Sequence, residues 1–188
     1  MDPNAYLSVV AQRVRMAHGN VQQAQVGPVQ ALVGDVYSSS LAAMGNLRLC
    51  VVAAAFAEVN AFVVRDFGAH ASQFATRTTH GTLGFGTALL TVVGFVSPRV
   101  TPDAAAAAAA KPGVQFAAST RPVVVDLTSG QLHTFTGTQL WGLAMQNTFK
   151  QKVRETFPTP AEAFAQLQQA QQYQPPPQSQ QPPATGQW

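Results

Sequence analysis

The stretch from Gly81 to Arg99, GTLGFGTALLTVVGFVSPR, carries no charge before its last residue and is apolar on every side. A segment that is apolar all round is buried in a helical bundle or in a membrane. Its uncharged run from Leu83 to Val96 is shorter than the roughly 20 residues that a membrane-spanning helix needs. We therefore predict a buried helix. It should end before Ser97-Pro98, because the residue preceding a proline is pushed out of the α region, and it should deliver Arg99 to a fixed place.

The pattern of apolar residues predicts helices in three further long segments. Apolar side chains recur at helical spacing from Pro28 to Met44, and the stretch from Leu47 to Phe67 is apolar over most of its length. Between Thr138 and Thr156 large apolar residues return at every fourth position, which is the spacing of one helical face. The stretch from Gly68 to His80, rich in Thr, Ser and Gln, is predicted to be extended.

Shorter signals complete the interpretation of the chain. They predict a helix over residues 3–17, a polyalanine helix capped by Asp103, a strand from Pro122 to Asp126 and a surface helix over 160–172. The last of these begins with a capping box, Thr159-Pro-Ala-Glu162. The closing sequence, YQPPPQSQQPPATGQW, has low complexity and is predicted to be disordered or polyproline-like.

From these elements we expect an all-α protein, a four-helix bundle subunit with short extended segments and a disordered C-terminal tail. Residues 1–20 would form an N-terminal helical arm and residues 21–157 a helical-bundle core with an inner loop over 97–122. Residues 158–188 would form a short helix followed by a Pro/Gln-rich surface tail. Three aromatic residues are predicted to lie in the bundle core: Phe56, Trp141 and Phe149.

Composition favours a protein that associates with copies of itself. The 188 residues are 46% hydrophobic and only 10% charged, against roughly 25% charged residues in an ordinary soluble domain. The formal net charge is +3, and a basic excess between Arg65 and Arg121 suits a phosphate-bearing partner. The single cysteine, Cys50, indicates a reducing compartment. The N-terminal sequence shows no signal peptide.

The sequence offers no recognisable catalytic machinery. Its four histidines form no close pair, and one cysteine cannot make a zinc site. The glycine-rich stretch from His80 to Gly86 matches neither a GxGxxG fingerprint nor a P-loop. Carboxylates are too scattered to propose an acid/base pair. We therefore expect that the protein is not an enzyme and has no cofactor.

Two stretches of the sequence, together with the order of the elements, carry a resemblance to a known family. One is Thr87 to Arg99, with TALL and then GF before the arginine. The other is NTFK from Asn147, with Phe157-Pro158 downstream. These features resemble the coat proteins of rod-shaped plant viruses, the tobacco mosaic virus-like family, with benyvirus coat proteins the nearest in length and layout. The first stretch looks like the inner-radius helix that ends in an RNA-contacting arginine, and the second is similar to the C-terminal pattern of the family. In that pattern Lys150 here replaces an acid and Phe157 the usual tryptophan.

The resemblance implies a structural capsid (coat) protein that self-assembles as a homopolymer into a helical rod. Such a subunit packages single-stranded RNA through sequence-independent phosphate contacts, and its expected locations are the virion and the host cytoplasm. Arg99 and Arg121 would be the principal RNA contacts, because they bracket the inner loop. Lys111 and Arg77 would be further contacts.

Two alternatives stay open on the sequence. Leu47 to Val64 and Leu83 to Val96 could form a membrane-associated helical hairpin, but Arg48 and Glu58 interrupt the first segment, so no stable membrane insertion is expected. The chain could also be a helical structural protein without RNA contact. Partition into detergent would identify the first alternative. Retention on heparin or RNA that falls with salt would separate a coat protein from the second.

Overall fold

A computed structural model describes residues 1–40, 45–79, 87–112, 118–137 and 143–172. Within these ranges the chain forms a mixed six-stranded sheet with helices on both faces. In chain order the elements are α1 (Pro3–Met16), β1 (Asn20–Val26), β2 (Val29–Ser40), β3 (Gly45–Ala55), α2 (Ala61–Arg77), β4 (Thr87–Ser97), α3 (Pro102–Ala109), β5 (Ala118–Asp126), β6 (Gln131–Thr134), α4 (Leu143–Thr156) and α5 (Pro160–Gln172). The fold is therefore α/β, and the expected all-α four-helix bundle is wrong.

The strands lie in the sheet in the order in which they occur along the chain. β1, β2 and β3 form an antiparallel meander, β3, β4 and β5 are parallel, and β6 returns antiparallel beside β5. The crossovers between the parallel strands are α2 and α3. Crossover connections between parallel strands are right-handed, and here each one leads to the next strand in the same direction across the sheet. Both helices therefore pack on the same face of the sheet. The other face is covered by α1, α4 and α5.

The described part of the stretch that we predict to be a buried helix forms β4, in the middle of the sheet. Its parallel neighbours pair with it on both sides, and its side chains are buried on both faces, for example Leu90 on one and Phe95 on the other. A strand covered on both faces reads as a continuous apolar run rather than an alternating one, and periodicity alone cannot separate it from a buried helix. The predicted burial is confirmed for residues 89–97, whereas the helical form is wrong for Thr87–Ser97. Residues 81–86 of the stretch lie outside the described residues.

Two other predicted helices are also wrong. The segment from Pro28 to Met44 contains β2, and the segment from Leu47 to Phe67 is divided between β3 and the first turns of α2. The helix α2 begins where Asn60 caps it, with the Asn60 side-chain oxygen accepting a hydrogen bond from the Val63 backbone N–H at 3.0 Å. It then runs through most of the segment after Gly68 that we predict to be extended. Both strands carry buried side chains on both faces, which is why they show no period of two.

A hydrophobic core lies on each face of the sheet. On one face α1 buries Tyr6 and Val9 completely against the strands. On the other face three rings contact one another with centroids between 5.3 and 5.9 Å apart. These belong to Phe56 after β3, Phe67 of α2 and Phe95 of β4. The predicted core position of Phe56 is therefore a partly buried one, packed against this second core. Trp141 and the side chain of Phe149 lie outside the described residues.

The predicted helices near the two ends of the chain are confirmed. α1 ends before His18, whose φ of 59° is left-handed. At the start of α5, the Glu162 carboxylate accepts a hydrogen bond from the Thr159 N–H at 2.9 Å and the Thr159 hydroxyl accepts one from the Glu162 N–H at 3.3 Å. The Tyr6 hydroxyl donates to the Pro158 carbonyl at 2.6 Å. Residues 1–20 are thus built into the same core as the start of α5. Residues 173–188, the predicted tail, lie outside the described residues.

The segment 97–122, which we predict to be an inner loop, contains the end of β4, the crossover helix α3 and the start of β5. The polyalanine helix and the strand over Pro122–Asp126 are confirmed. Asp103 does not cap its own helix; its carboxylate accepts a hydrogen bond from the Ala61 N–H at the start of α2, at 3.1 Å. In the ranges that the structure describes, no helix is both long and apolar enough to cross a membrane.

Candidate anion-binding site

A cavity of about 680 Å³ opens on the face of the sheet that α1, α4 and α5 cover. We call it the cationic cavity, because four basic side chains line it. These are Arg13 of α1, Arg121 of β5, and Lys150 and Arg154 of α4. The apolar part of its wall includes Leu132, Phe135, Val153 and Phe157. A volume in this range is typical of sites for small ligands.

The strand wall of the cationic cavity is set by the register of β5 and β6. Arg121 precedes the part of β5 that β6 covers, and it lies on the same face as the buried Val123. The Thr134 hydroxyl at the end of β6 donates to the Pro122 carbonyl at 2.8 Å, which fixes the chain where it leaves the sheet. The next residue, Phe135, places its ring 5.3 Å from the Arg121 guanidinium carbon. A guanidinium at this distance from an aromatic ring gains a cation–π attraction, so Phe135 orients Arg121.

The helix wall contributes Lys150 and Arg154, which are four residues apart and share a face of α4. Arg13 of α1 closes the far end of this wall. Its guanidinium donates to the backbone carbonyls of Arg154 and Glu155 at 3.4 and 3.3 Å, and to the Gln166 side chain at 3.2 Å. A cation that donates to the last carbonyls of a helix is favoured by the helix dipole. Arg13 therefore holds α1, α4 and α5 together.

Charges of one sign dominate the cationic cavity. Among the described residues its lining includes a single carboxylate, Glu162, against the four cations, and Glu162 is engaged in the capping box of α5. Arg121 is only 5% exposed, and burial lowers the pKa of its guanidinium. An arginine nevertheless stays protonated in a protein. The cavity therefore offers a desolvated positive charge, where an anion is attracted more strongly than in water.

The four residues that we predict to contact RNA are not brought together. Arg121 lines the cationic cavity. Arg99 is exposed beyond the carboxyl end of β4, with its Nε 3.8 Å from the Glu58 carboxylate. Arg77 and Lys111 are exposed where the crossover helices α2 and α3 end. These helices lead back to the amino-terminal ends of the parallel strands, opposite the end at which Arg99 lies. A continuous phosphate-binding surface over these four residues does not form.

Three of the four basic residues of the cavity are not predicted from the sequence. Arg13, Lys150 and Arg154 are not among the predicted contacts, because a cation near the C-terminal end of a helix is already explained by the helix dipole. Arg13 does complement a helix dipole, but that of α4 rather than that of its own helix. One pattern in the sequence does indicate that two of these residues lie near the core. Lys150 and Arg154 are four residues apart, like the apolar pair Val153 and Phe157, and side chains at this spacing share a face, so the basic pair lies next to the apolar pair.

Other chemistry finds no support in the described residues. Among them no group of three or more His, Cys, Asp or Glu side chains could hold a metal ion. Cys50 is buried and unpaired by any disulfide, and burial raises the pKa of its thiol to about 12. Comparison of the chain with known protein families, characterised proteins and solved structures finds no match. The geometry of the cationic cavity is therefore the basis on which a function can be argued.

Proposed function

We propose that this protein binds a small phosphate-bearing ligand in the cationic cavity. The observation that carries the proposal is the set of four basic side chains around one cavity with a single carboxylate in its lining. The chain has eleven basic and eight acidic residues in all. Such an imbalance within one concave site is far from the average of the chain, and it favours an anionic ligand.

The types of the basic residues favour phosphate among anions. Guanidinium groups offer a planar fork of donors that matches phosphate oxygens, and an ammonium group adds a compact charge. The size of the cavity favours a ligand of the order of a metabolite, since sites of about 300–1,000 Å³ hold small molecules. The apolar side chains of Leu132 and Phe157 can cover an uncharged part of such a ligand.

Isothermal titration calorimetry with sodium tripolyphosphate tests this function at low salt. We expect Arg121→Gln to weaken binding about 10- to 100-fold, because a hydrogen bond to a charged group contributes about 1.5–3 kcal/mol. Arg99→Gln is the matched control, since it makes the same change at an exposed site outside the cavity. Arg154→Gln, at an exposed position in the cavity wall, gives a second variant that leaves the buried core unaltered. Absence of binding, or equal effects of the Arg121 and Arg99 changes, would refute the proposal.

Self-assembly and RNA packaging stay predictions from the sequence. The helical bundle that the coat-protein resemblance implies is not the fold of this chain. Of the four predicted RNA contacts, Arg121 is the one that lines the cationic cavity. The cavity therefore supports phosphate binding without depending on a helical rod.

A further inference from the structure

The basic residues of the cationic cavity differ in burial and in the wall that carries them. Arg121 is almost fully buried in the strand wall. Lys150 is partly buried and Arg154 exposed, and both belong to the helix wall formed by α4. The positive charge of the cavity is therefore spread from its interior to its mouth.

Arg13 joins helices as well as lining the cavity. Its Nε donates to Gln166 and its Nη1 to two carbonyls at the end of α4. Two of its donor atoms are thus used to join helices. The remaining cations separate into an inner position, Arg121, and an outer position, the pair Lys150 and Arg154.

We propose that the cationic cavity binds two adjacent phosphate groups, the inner one at Arg121 and the outer one between Lys150 and Arg154. This proposal rests on the proposed function and names its ligand class, a diphosphate group. A volume of about 680 Å³ exceeds what one phosphate fills. Cations on facing walls repel one another unless negative charge lies between them, and a diphosphate supplies that charge along the depth of the cavity.

Two adjacent phosphates can come from a free diphosphate group or from a nucleic-acid backbone. The mixed lining favours the first source, because residues of α1, β5, β6 and α4 line the cavity around the inner cation. A polymer would have to pass its chain by a residue that is only 5% exposed. We therefore take a free or terminal diphosphate as the ligand, and a backbone as the alternative that the experiment must reject.

The test compares inorganic phosphate, pyrophosphate and an oligouridylate by calorimetry on the full-length chain. For the double variant Lys150→Gln/Arg154→Gln we expect at least a tenfold loss of pyrophosphate affinity and a change of less than twofold in phosphate affinity. Arg121→Gln should weaken both. Lys152→Gln is the matched control, because Lys152 is on the same helix but pairs with Glu155 outside the cavity. Circular dichroism of each variant checks that it is folded.

Three results would overturn the inference. The double variant could weaken phosphate and pyrophosphate by the same factor, which would mean one undivided site. Pyrophosphate could bind no more tightly than phosphate. The oligouridylate could bind more tightly than pyrophosphate and lose affinity with Arg121→Gln, which would identify a backbone as the ligand. In the first two cases phosphate still binds, so the proposed function survives. A backbone ligand would overturn the small ligand of the proposed function as well, and the proposed function also fails if tripolyphosphate does not bind at all.

Discussion

Gly94 shows how closely the centre of the sheet is packed. It lies on β4 where the ring of Phe157 covers the backbone, and a methyl group added there would overlap that ring and approach the Ala53 Cβ to 3.0 Å. Phe157 is itself only 2% exposed, so it has little space into which it could move. We expect Gly94→Ala to lower the free energy of unfolding by about 1–3 kcal/mol, as overpacking does in well-filled cores. Urea denaturation measures this change.

A second glycine provides the control for that measurement. Gly68 is in the middle of α2, and an added methyl group would meet nothing within 4 Å. Gly68→Ala should therefore raise the free energy of unfolding by about 0.5–1 kcal/mol, because alanine loses less backbone freedom in a helix. If Gly94→Ala were as stable as the parent chain, Phe157 would not pack where the structure places it.

Cys50 makes the stability of the fold sensitive to alkaline pH. Burial, with a smaller contribution from the Asp35 carboxylate, raises the pKa of its thiol to about 12 from an ordinary value of 9.0. Between these values the unfolded chain releases the thiol proton and the folded chain retains it. The unfolded state then binds fewer protons, so the free energy of unfolding falls as pH rises from about 9 to about 12.

The variant Cys50→Ala isolates this effect from other groups that titrate in the same range. Its packing loss is the same at every pH, whereas the contribution of the thiol is not. We expect the free energy of unfolding to fall less steeply above pH 9 in Cys50→Ala than in the parent chain. Guanidinium titrations at pH 8, 9 and 10 provide the comparison. Parallel curves for the two proteins would show that the thiol ionises as readily in the folded chain as in the unfolded one.

At the scale of elements, Arg48 fastens the end of α2 to the sheet. Its guanidinium lies 2.7 Å from the Asp35 carboxylate on the neighbouring strand β2. It also donates to the Ala75 carbonyl at 3.0 Å and to the Thr79 hydroxyl at 2.6 Å. The side chain is 2% exposed, so its charge depends on these partners for stabilisation.

Removing one partner of this ion pair should cost more than removing both. We expect Asp35→Ala to lower the free energy of unfolding by about 3 kcal/mol, because it leaves a buried charge without its carboxylate. The double variant Asp35→Ala/Arg48→Met should recover part of that loss. Glu58→Ala, which breaks the exposed pair with Arg99, should cost about 0–1 kcal/mol. Thermal unfolding of the four proteins tests the order, and a double variant less stable than Asp35→Ala would contradict it.

The elements that sequence analysis identifies are those with local signals. The capping box at Thr159 predicts α5, and the alanine run predicts α3, because both depend on residues close in sequence. By contrast, β2, β3 and β4 are covered by helices on both faces of the sheet. This burial removes the alternation of polar and apolar residues by which a strand is recognised in a sequence. α2 was missed after Gly68 since its Ser and Thr residues, which favour other local structures, are overridden by packing of Phe67 and Ala71.

The candidate site was harder to predict for the same physical reason. Its walls come from residue 13, residue 121 and residues 150–154, which are far apart in the sequence and meet only through the order of the strands. Arg121 could be selected as a phosphate contact because it is a cation at one end of the predicted inner loop. Its partners Lys150 and Arg154 could not, because a cation near a helix C-terminus has a sufficient local explanation.

At the scale of the whole molecule, one sheet serves two hydrophobic cores. Each strand from β2 to β5 places side chains in both, so neither core can open without disturbing the other. The hydrogen bond from Tyr6 to Pro158 adds a link between α1 and the connection from α4 to α5. We therefore expect the described part of the chain to unfold as a single cooperative unit.

Amide hydrogen exchange measures how this stability is distributed across the sheet. β4 is hydrogen-bonded to a parallel neighbour on each side, whereas β1 and β6 form the two edges. Amides in β4 should exchange only through global unfolding, while edge amides also exchange through local opening. In mass-spectrometric exchange, peptides from Thr87–Ser97 should therefore be the slowest, and those from Asn20–Val26 and Gln131–Thr134 faster. Small amounts of urea should accelerate exchange in β4 with the slope of global unfolding and affect the edges less. A chain in which Asn20–Val26 was protected as strongly as Thr87–Ser97 would require a partner on the β1 edge, since a strand bonded on one side cannot otherwise match a central one.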